Sequence, residues 1–288
     1  MRESICPATL AGYESGMTNG LTVALTIAGS DCSAGAGIQA DLKTFQHFQV
    51  HGLTAVTCVV SETANIVRAV HAVPVELVRD QVELLMESFP VAAVKTGMLY
   101  SAAHVRAVAE ILRNWPQVAL VVDPVMVAST GASLLEDEAV SLYQDLLLPL
   151  ARVITPNLPE AERLLGRSIT ADTLESAALE LSQIYGTAVL LKGGHLQGAE
   201  CVDVLADAGT IQRFCAARIA VAGSHGTGCT LSAAVTACLA RGEGLARAVE
   251  RAKDYLGQAL RGSYSFKGAD GQVVQALDQG TTLPKNGA

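Results

Sequence analysis

Short apolar segments alternate along the chain with longer segments whose apolar residues recur every three or four positions. The first kind is typical of buried strands and the second of amphipathic helices. Strands are predicted over 21–28, 53–60, 92–95, 118–122, 153–155 and 188–191, followed by a hairpin of 202–206 with 211–216. Helices are predicted over 38–48, 74–89, 102–114, 136–148, 229–241 and 245–260, with one more that starts near Asp172 and Glu175 in the manner of a capping box.

This alternation of strand and helix indicates βαβ units, so we predict an α/β fold: one three-layer α/β/α domain with a mostly parallel central sheet. The pattern is missing at both ends of the chain. We therefore expect an N-terminal extension at 1–20, a single domain at 21–267 and a C-terminal tail at 268–288, with irregular chain from Gly262 onward. No apolar run reaches transmembrane length, and 1–20 lacks the apolar stretch of a signal peptide. We expect a cytoplasmic protein with no membrane partner.

Composition narrows the possible ligands. Hydrophobic residues make up 50% of the 288 residues, charged residues 17% and aromatic residues 4%, so Ala, Val and Leu must fill a large core. The formal net charge of −8 argues against a nucleic-acid partner, because such binding depends on Lys and Arg. A phosphate ligand remains possible, since backbone N–H groups can hold it. The seven cysteines form no CxxC pair, which argues against a disulfide framework or a zinc site.

Polar and Gly-rich clusters follow the predicted strands, where parallel sheets bind ligands. The strongest is Gly226-Thr227-Gly228-Cys229 before a helix of small residues. Glycines let backbone N–H groups converge and the helix N-terminus favours an anion, so this segment predicts an anion hole. A thiol in the first helical turn should have a lowered pKa, which makes Cys229 a candidate thiolate base. The alternative is a Gly-rich loop beside a buried small residue.

Three further clusters carry candidate polar groups. Asn157 and Glu160 follow a short strand and suit a Mg²⁺-bound water, although the local pattern favours a helix-capping role for one of them. Asp123 follows an apolar strand and suits a cation, unless it is only a turn residue before proline. Lys192 with Gly193 suits a phosphate, or caps a helix.

The segment Gly35-x-Gly37-x-x-Ala40 is close to the dinucleotide-binding fingerprint and offers an oxidoreductase as an alternative. In that fold the glycines lie in the turn directly after the strand, whereas here they come several residues after Gly29. The candidate acidic residue, Glu62, also lies within Ser-Glu-Thr rather than at a strand end.

The chain resembles the hydroxymethylpyrimidine and phosphomethylpyrimidine kinases of the ribokinase-like superfamily. The matching stretches, in family order, are AGSDCSAGAGIQADLKTF, VKTGML, VVDPVM, TPNLPEAERLL, LLKGGHL and SHGTGCTLSAA. This resemblance implies phosphorylation of a hydroxymethylpyrimidine and its monophosphate in thiamine biosynthesis. It also implies Mg²⁺ with ATP as the phosphoryl donor, a small pyrimidine and ATP as binding partners, and a homodimer.

The resemblance also assigns roles to single positions. The pyrimidine pocket would be lined by Gly29, Asp41, Glu62, Met98, Val125 and Cys229. The anion hole and catalytic segment would be Gly226, Thr227, Gly228 and Cys229. ATP would be contacted by Asn157, Lys192 and Gly193, and the metal by Glu160 and Asp123. The loop 125–134 is a candidate flap over the phosphates.

Glu62 departs from the family pattern, which commonly has Gln there. A Gln amide both donates and accepts hydrogen bonds, whereas a carboxylate only accepts unless it is protonated. Glu62 would favour a ring with an extra donor, so pyridoxal kinase is the first alternative. A sugar kinase and a non-catalytic pyrimidine sensor are further alternatives, disfavoured respectively by Cys229 and by the intact polar clusters.

Overall fold

The computed structural model describes residues 20–126, 137–220 and 225–280. The predicted extension at 1–19, most of the predicted flap (127–134) and the end of the tail at 281–288 lie outside these residues. The strands are β1 Thr22–Asp31, β2 Val50–Thr63, β3 Ile66–Ala72, β4 Val91–Thr96, β5 Ala119–Val122, β6 Val153–Ile154, β7 Ala188–Leu191, β8 Glu200–Asp207, β9 Thr210–Ala217, β10 Tyr264–Lys267 and β11 Val273–Ala276. The α-helices are α1 Gly37–His47, α2 Val75–Ser88, α3 Ala102–Leu112, α4 Asp137–Leu142, α5 Leu158–Leu165, α6 Leu174–Tyr185, α7 Thr227–Ala240 and α8 Leu245–Arg261.

The central sheet of the described ranges has nine strands in the order β3-β2-β1-β4-β5-β6-β7-β8-β9. Six neighbouring strands, from β2 to β7 in that order, run parallel. Antiparallel strands complete both edges, with β3 beside β2 and β8 and β9 beyond β7. The predicted α/β fold with a mostly parallel sheet is confirmed.

Helices cover both faces of this sheet. Buried residues of α1, α7 and α8 form one core cluster with the strands, and those of α2 to α6 form another. Consecutive strand residues contribute side chains to opposite core clusters, as Val121 and Val122 of β5 do. This explains why the central strands read as continuous apolar runs rather than as an alternation.

Several predicted elements need correction. The sequence reading missed β3, because Ile66 and its neighbours on this edge strand are half-buried or exposed and form no apolar run. The capping pair before α6 is Thr170 with Thr173, and Asp172 lies inside that short 3₁₀ turn. The predicted helix 136–148 is α4 followed by a π-helical turn and a 3₁₀ turn.

The segment after Gly262 is also more regular than predicted, since β10 and β11 pair as an antiparallel hairpin. Within the described residues no helix combines the length and apolar character needed to cross a bilayer.

The chain crosses from β1 to β2 on one side and reaches β4 on the other side of β1. Such a reversal opens a crevice at the carboxyl ends of the strands. Asp31, Asp123 and Lys192 end or follow β1, β5 and β7 at this edge, and α7 begins there too.

Candidate active site

A cavity of about 360 Å³ opens at this edge of the sheet. Most of the predicted site residues lie in its wall. These are Gly29, Glu62, Met98, Asp123, Val125, Asn157, Glu160, Lys192, Gly226, Thr227, Gly228 and Cys229. Asp41 and Gly193 are absent from the wall and take up other positions.

The N-terminal turn of α7 spans the middle of the cavity. Gly226 is its N-cap, with φ of +81°, and Thr230 donates to the Gly226 carbonyl through its backbone N–H (2.9 Å) and its hydroxyl (2.8 Å). A Cβ on Gly226 would lie 1.9 Å from the Gly35 carbonyl oxygen. Only glycine fits there, because the space and the positive φ both exclude a side chain. A glycine N-cap also has no side-chain acceptor of its own to compete with an anion at this helix end.

One side of the cavity, here called the β5–β7 side, consists of Asp123, Asn157, Glu160 and Lys192, which follow strands β5 to β7. Lys192 Nζ lies 2.9 Å from Asp123 Oδ1. Thr155 and Ser232 each donate a hydroxyl hydrogen bond of 3.2 Å to the same carboxylate. Burial would raise the pKa of Asp123, but Lys192 and Lys95 outweigh it and lower that pKa. Asp123 is therefore a carboxylate at neutral pH.

Asn157 and Glu160 form a complete capping box at the start of α5. The Asn157 side chain accepts from the Glu160 N–H (2.9 Å), and the Glu160 carboxylate accepts from the Asn157 N–H (2.8 Å). The capping role predicted for them is confirmed, and it fixes both side chains in the cavity wall. Burial, with Asp123 adding to it and Lys192 opposing it, raises the pKa of Glu160 to about 7.

The lowered pKa expected for the Cys229 thiol is wrong. Burial raises the pKa of Cys229 to about 11. The Asp41 and Asp123 carboxylates add to this effect, while Lys95 and a hydrogen bond from the Gly37 backbone oppose it. The start of a helix does not offset burial between two carboxylates, so the resting residue is a neutral thiol.

Asp41 lies beneath the cavity. Lys95 Nζ is 2.8 Å from both of its carboxylate oxygens, and the Thr26 hydroxyl donates to it at 2.6 Å. All three side chains are fully buried. Burial raises the pKa of Asp41, and the charge of Lys95 and the Thr26 hydrogen bond oppose this rise. Burial would lower the pKa of Lys95, but the Asp41 carboxylate outweighs burial and the pKa of Lys95 is raised. This buried ion pair lies outside the cavity wall.

Gly193 packs behind the wall instead of within it. Its N–H donates to Asp203 at 3.0 Å, and a Cβ there would lie 2.0 Å from the Val202 carbonyl oxygen. The glycine lets β7 and β8 approach closely at the point where Lys192 enters the cavity.

The opposite side of the cavity, here called the β1–β3 side, consists of Gly29, Asp31, Glu62, Val67 and Val70. A Cβ on Gly29 would lie 2.9 Å from Cys58 Sγ, so a side chain at this position would displace the buried Cys58 thiol of β2. Val67 and Val70 belong to β3, the strand that the sequence reading missed, and they give this side its apolar surface.

Sequence reasoning also missed Asp31 and His225, although both fall inside quoted motifs. His225 Nε2 lies 2.9 Å from Asp31 Oδ2. Burial would raise the pKa of Asp31, but His225 and hydrogen bonds from Ser33 and Ala36 lower it to about 2. Burial raises the pKa of Glu62 nearby; Asp31 adds to this and His225 opposes it.

The glycines of the dinucleotide-like pattern serve this site in another way. The Gly35 N–H donates to Asp31 at 3.1 Å, and the Gly35 carbonyl packs against Gly226. The loop thus joins β1 to the start of α7.

The chain matches a family model described as phosphomethylpyrimidine kinase over residues 31–274. A hydroxymethylpyrimidine/phosphomethylpyrimidine kinase of Rhizobium meliloti is 46% identical over 240 residues, covering 83% of this chain and 90% of that protein. The thiamine biosynthesis bifunctional protein ThiED of Geobacter sulfurreducens is 44% identical over 238 residues. That match covers 82% of this chain and 49% of ThiED, so this chain spans about half of that relative's length.

Solved structures agree on the fold. An ADP complex of Bacillus subtilis pyridoxal kinase matches with a TM-score of 0.80 at 35% identity, covering 89% of this chain and 96% of that chain.

Proposed function

Because the chain belongs to the phosphomethylpyrimidine kinase family, we propose that it phosphorylates 4-amino-5-hydroxymethyl-2-methylpyrimidine and then its monophosphate, with ATP as donor, in thiamine biosynthesis. One observation carries the proposal beyond family membership. The glycine N-terminus of α7 lies between a Lys192–Asp123 ion pair and an apolar wall of β3. A phosphate and a small ring therefore find complementary surfaces on opposite sides of one cavity.

The reaction would be an in-line transfer. The substrate hydroxymethyl oxygen attacks the γ-phosphorus, the new P–O bond forms as the bond to the β-phosphate oxygen breaks, and ADP leaves. Backbone N–H groups of 226–229 would stabilise the transferring phosphoryl group, and Lys192 would neutralise phosphate charge. Cys229 would accept the hydroxyl proton. Since the pKa of its thiol is about 11, the base is the small ionised fraction, which is correspondingly strong.

Magnesium fits the residues of the β5–β7 side. Asp123 and Glu160 are buried and close enough that the Asp123 charge raises the pKa of Glu160, and a dication would relieve that repulsion. Mg²⁺ is usually held by one or two carboxylates together with substrate phosphates, so a larger protein cage is not required. We propose that these two carboxylates hold it, where it would neutralise charge on the β- and γ-phosphates; a magnesium titration of the Glu160→Gln variant is the test.

We also propose a homodimer in the cytoplasm. Exposed Val59 and Ile66 on the β2–β3 edge support self-association. Light scattering behind size exclusion would measure the mass, and a monomeric mass at working concentration would refute the dimer. Fractionation of the source cells would test the location.

A substrate panel tests the activity. The purified chain is incubated with MgATP and hydroxymethylpyrimidine, its monophosphate or pyridoxal, and products are identified by mass. We expect the pyrimidine to gain two phosphates in sequence. Binding of the pyrimidine without product would mean a sensor, and faster conversion of pyridoxal would mean a vitamin B6 kinase.

Pyridoxal kinase is the second candidate, favoured by Glu62 and by the match to the Bacillus subtilis enzyme. The curated relatives with higher identity favour the pyrimidine.

A further inference from the structure

The residues 277–279, here called the C-terminal strap, follow β11 and run back to the site. Leu277 and Gln279 are 4% and 2% exposed. A buried glutamine needs partners for its amide, because an unpaired buried amide is costly. Its partners show what the strap does.

The Gln279 amide links the loop at Gly35 to the first turn of α7. Gln279 Nε2 donates to the Gly35 carbonyl at 3.1 Å and to Thr230 Oγ1 at 2.9 Å. The Gly35 carbonyl is the group that packs against Gly226. The Thr230 hydroxyl in turn donates a hydrogen bond to the Gly226 carbonyl at 2.8 Å. One side chain thus fixes Gly226 from both sides.

The strap is itself anchored on α8. The Tyr255 hydroxyl donates to the Gln279 carbonyl at 2.7 Å, and the Asp278 N–H donates to the Ala259 carbonyl at 3.1 Å. Tyr255 is buried against Phe48. The amide of Gln279 is therefore held by packed helices and not by a loose tail.

We propose that Gln279 is a positioning residue of the kinase: it sets the orientation of the N–H groups of 226–229 and so the geometry of the anion hole. The inference rests on the anion-hole role given to that segment in the proposed function. It also makes the functional domain extend at least to residue 279, beyond the boundary expected at 267. Because misplacement of about 1 Å can cost on the order of 100-fold in rate, two hydrogen bonds to the rim of the hole matter for turnover.

The test compares Gln279→Met with Gln275→Met. Both replace a glutamine of the C-terminal segment by an apolar side chain of similar length. Gln275 donates to Ser263 within the β10–β11 region and is not in the cavity wall. We expect Gln279→Met to lower kcat about 10- to 100-fold and Gln275→Met to leave it unchanged.

A binding measurement distinguishes a positioning role of Gln279 from a purely structural one. ADP, aluminium fluoride and the pyrimidine together mimic the transferring phosphoryl group, whereas ADP alone does not. Gln279→Met should lose affinity for the mimic about as much as it loses kcat, and keep its affinity for ADP and for the pyrimidine. If it loses all three equally, or lowers only the melting temperature, the strap is structural and the inference is wrong.

Two further variants keep the test decisive. Tyr255→Phe removes the hydroxyl that donates to the Gln279 carbonyl and also bonds Thr44. It should give a smaller loss in the same direction, even if Gln279→Met folds poorly. Gly226→Ala tests the anion hole itself. If Gly226→Ala keeps its affinity for the mimic, the anion-hole proposal fails; if it loses that affinity while Gln279→Met keeps it, only the strap inference fails.

Discussion

The two sides of the cavity are built differently. On the β5–β7 side, Asp123 and Lys192 neutralise each other at 2.9 Å, and Asn157 and Glu160 are locked in a capping box. On the β1–β3 side, apolar residues of β3 stand beside Glu62, whose pKa is raised by burial and by Asp31. The first side is fixed by the Lys192–Asp123 pair and a capping box. The second combines strand packing and the Asp31–His225 pair with the Glu62 carboxyl group, whose pKa is raised.

This contrast assigns phosphoryl transfer and recognition of the substrate ring to different sides of the cavity. Phosphoryl transfer needs prearranged charge, which the β5–β7 side and α7 provide. Ring choice needs shape and a few polar groups, which the β1–β3 side provides. Changes beside α7 should therefore lower kcat, whereas changes at Glu62 should alter the choice of ring.

The largest effect is expected at Cys229. If its thiolate is the base, Cys229→Ala should lower kcat about 10²- to 10⁴-fold. Since the thiol pKa is about 11, the thiolate fraction and kcat should rise with pH from neutrality upward. The measurement is the pH profile of kcat, in which Cys229→Ala should lose the rise.

Cys229→Ser is the control for shape, because serine keeps a small polar side chain that does not ionise in this range. It should be as slow as Cys229→Ala. Near-normal turnover of either variant would remove Cys229 from the role of base. If the kcat of the wild type does not change with pH, ionisation of the Cys229 thiol does not limit the rate.

Gly226→Ala should lower kcat about 10²- to 10³-fold, the usual cost of losing an oxyanion-hole donor. The new Cβ would meet the Gly35 carbonyl at 1.9 Å, so the start of α7 must move. Gly242→Ala is a matched control, because Gly242 follows the other end of α7 with the same φ of +81° and has open space around it. If the two variants have the same kcat, backbone strain alone, and not the anion hole, explains the loss in Gly226→Ala.

The fold and most of the β5–β7 side could be predicted because each polar residue there directly follows a buried strand. Parallel strands bring such residues to one edge, so Asp123 and Lys192 meet although they are far apart in sequence. The pKa of Cys229 could not be predicted this way, because it depends on Asp41 of α1 and Lys95 of β4. The β3 wall and Gln279 were missed because a half-exposed edge strand and a polar tail leave no periodic signal.

An intermediate effect is expected from Glu160→Gln on the β5–β7 side. Because the pKa of Glu160 is about 7, the carboxylate forms as pH rises through that value and is lost below it. The magnesium concentration for half-maximal turnover of the wild type should therefore rise as pH falls below 7. The variant should need about tenfold more magnesium at alkaline pH and show no such pH dependence. An unchanged magnesium requirement would remove Glu160 from the metal site.

The smallest effect, and the one that tests recognition on the β1–β3 side, is expected from Glu62→Gln. Below its raised pKa the Glu62 carboxyl group can donate and accept like an amide, and above that pKa it only accepts. The wild-type preference for hydroxymethylpyrimidine over pyridoxal, measured as a ratio of kcat/KM, should fall as pH rises. Glu62→Gln should make this ratio independent of pH and raise it at alkaline pH by up to about tenfold, the value of one hydrogen bond. Glu83→Gln, an exposed change on α2, is the control and should keep the wild-type ratio. If Glu62→Gln also keeps the wild-type ratio and its pH dependence, Glu62 does not choose the ring. Recognition must then lie with the apolar residues of β3.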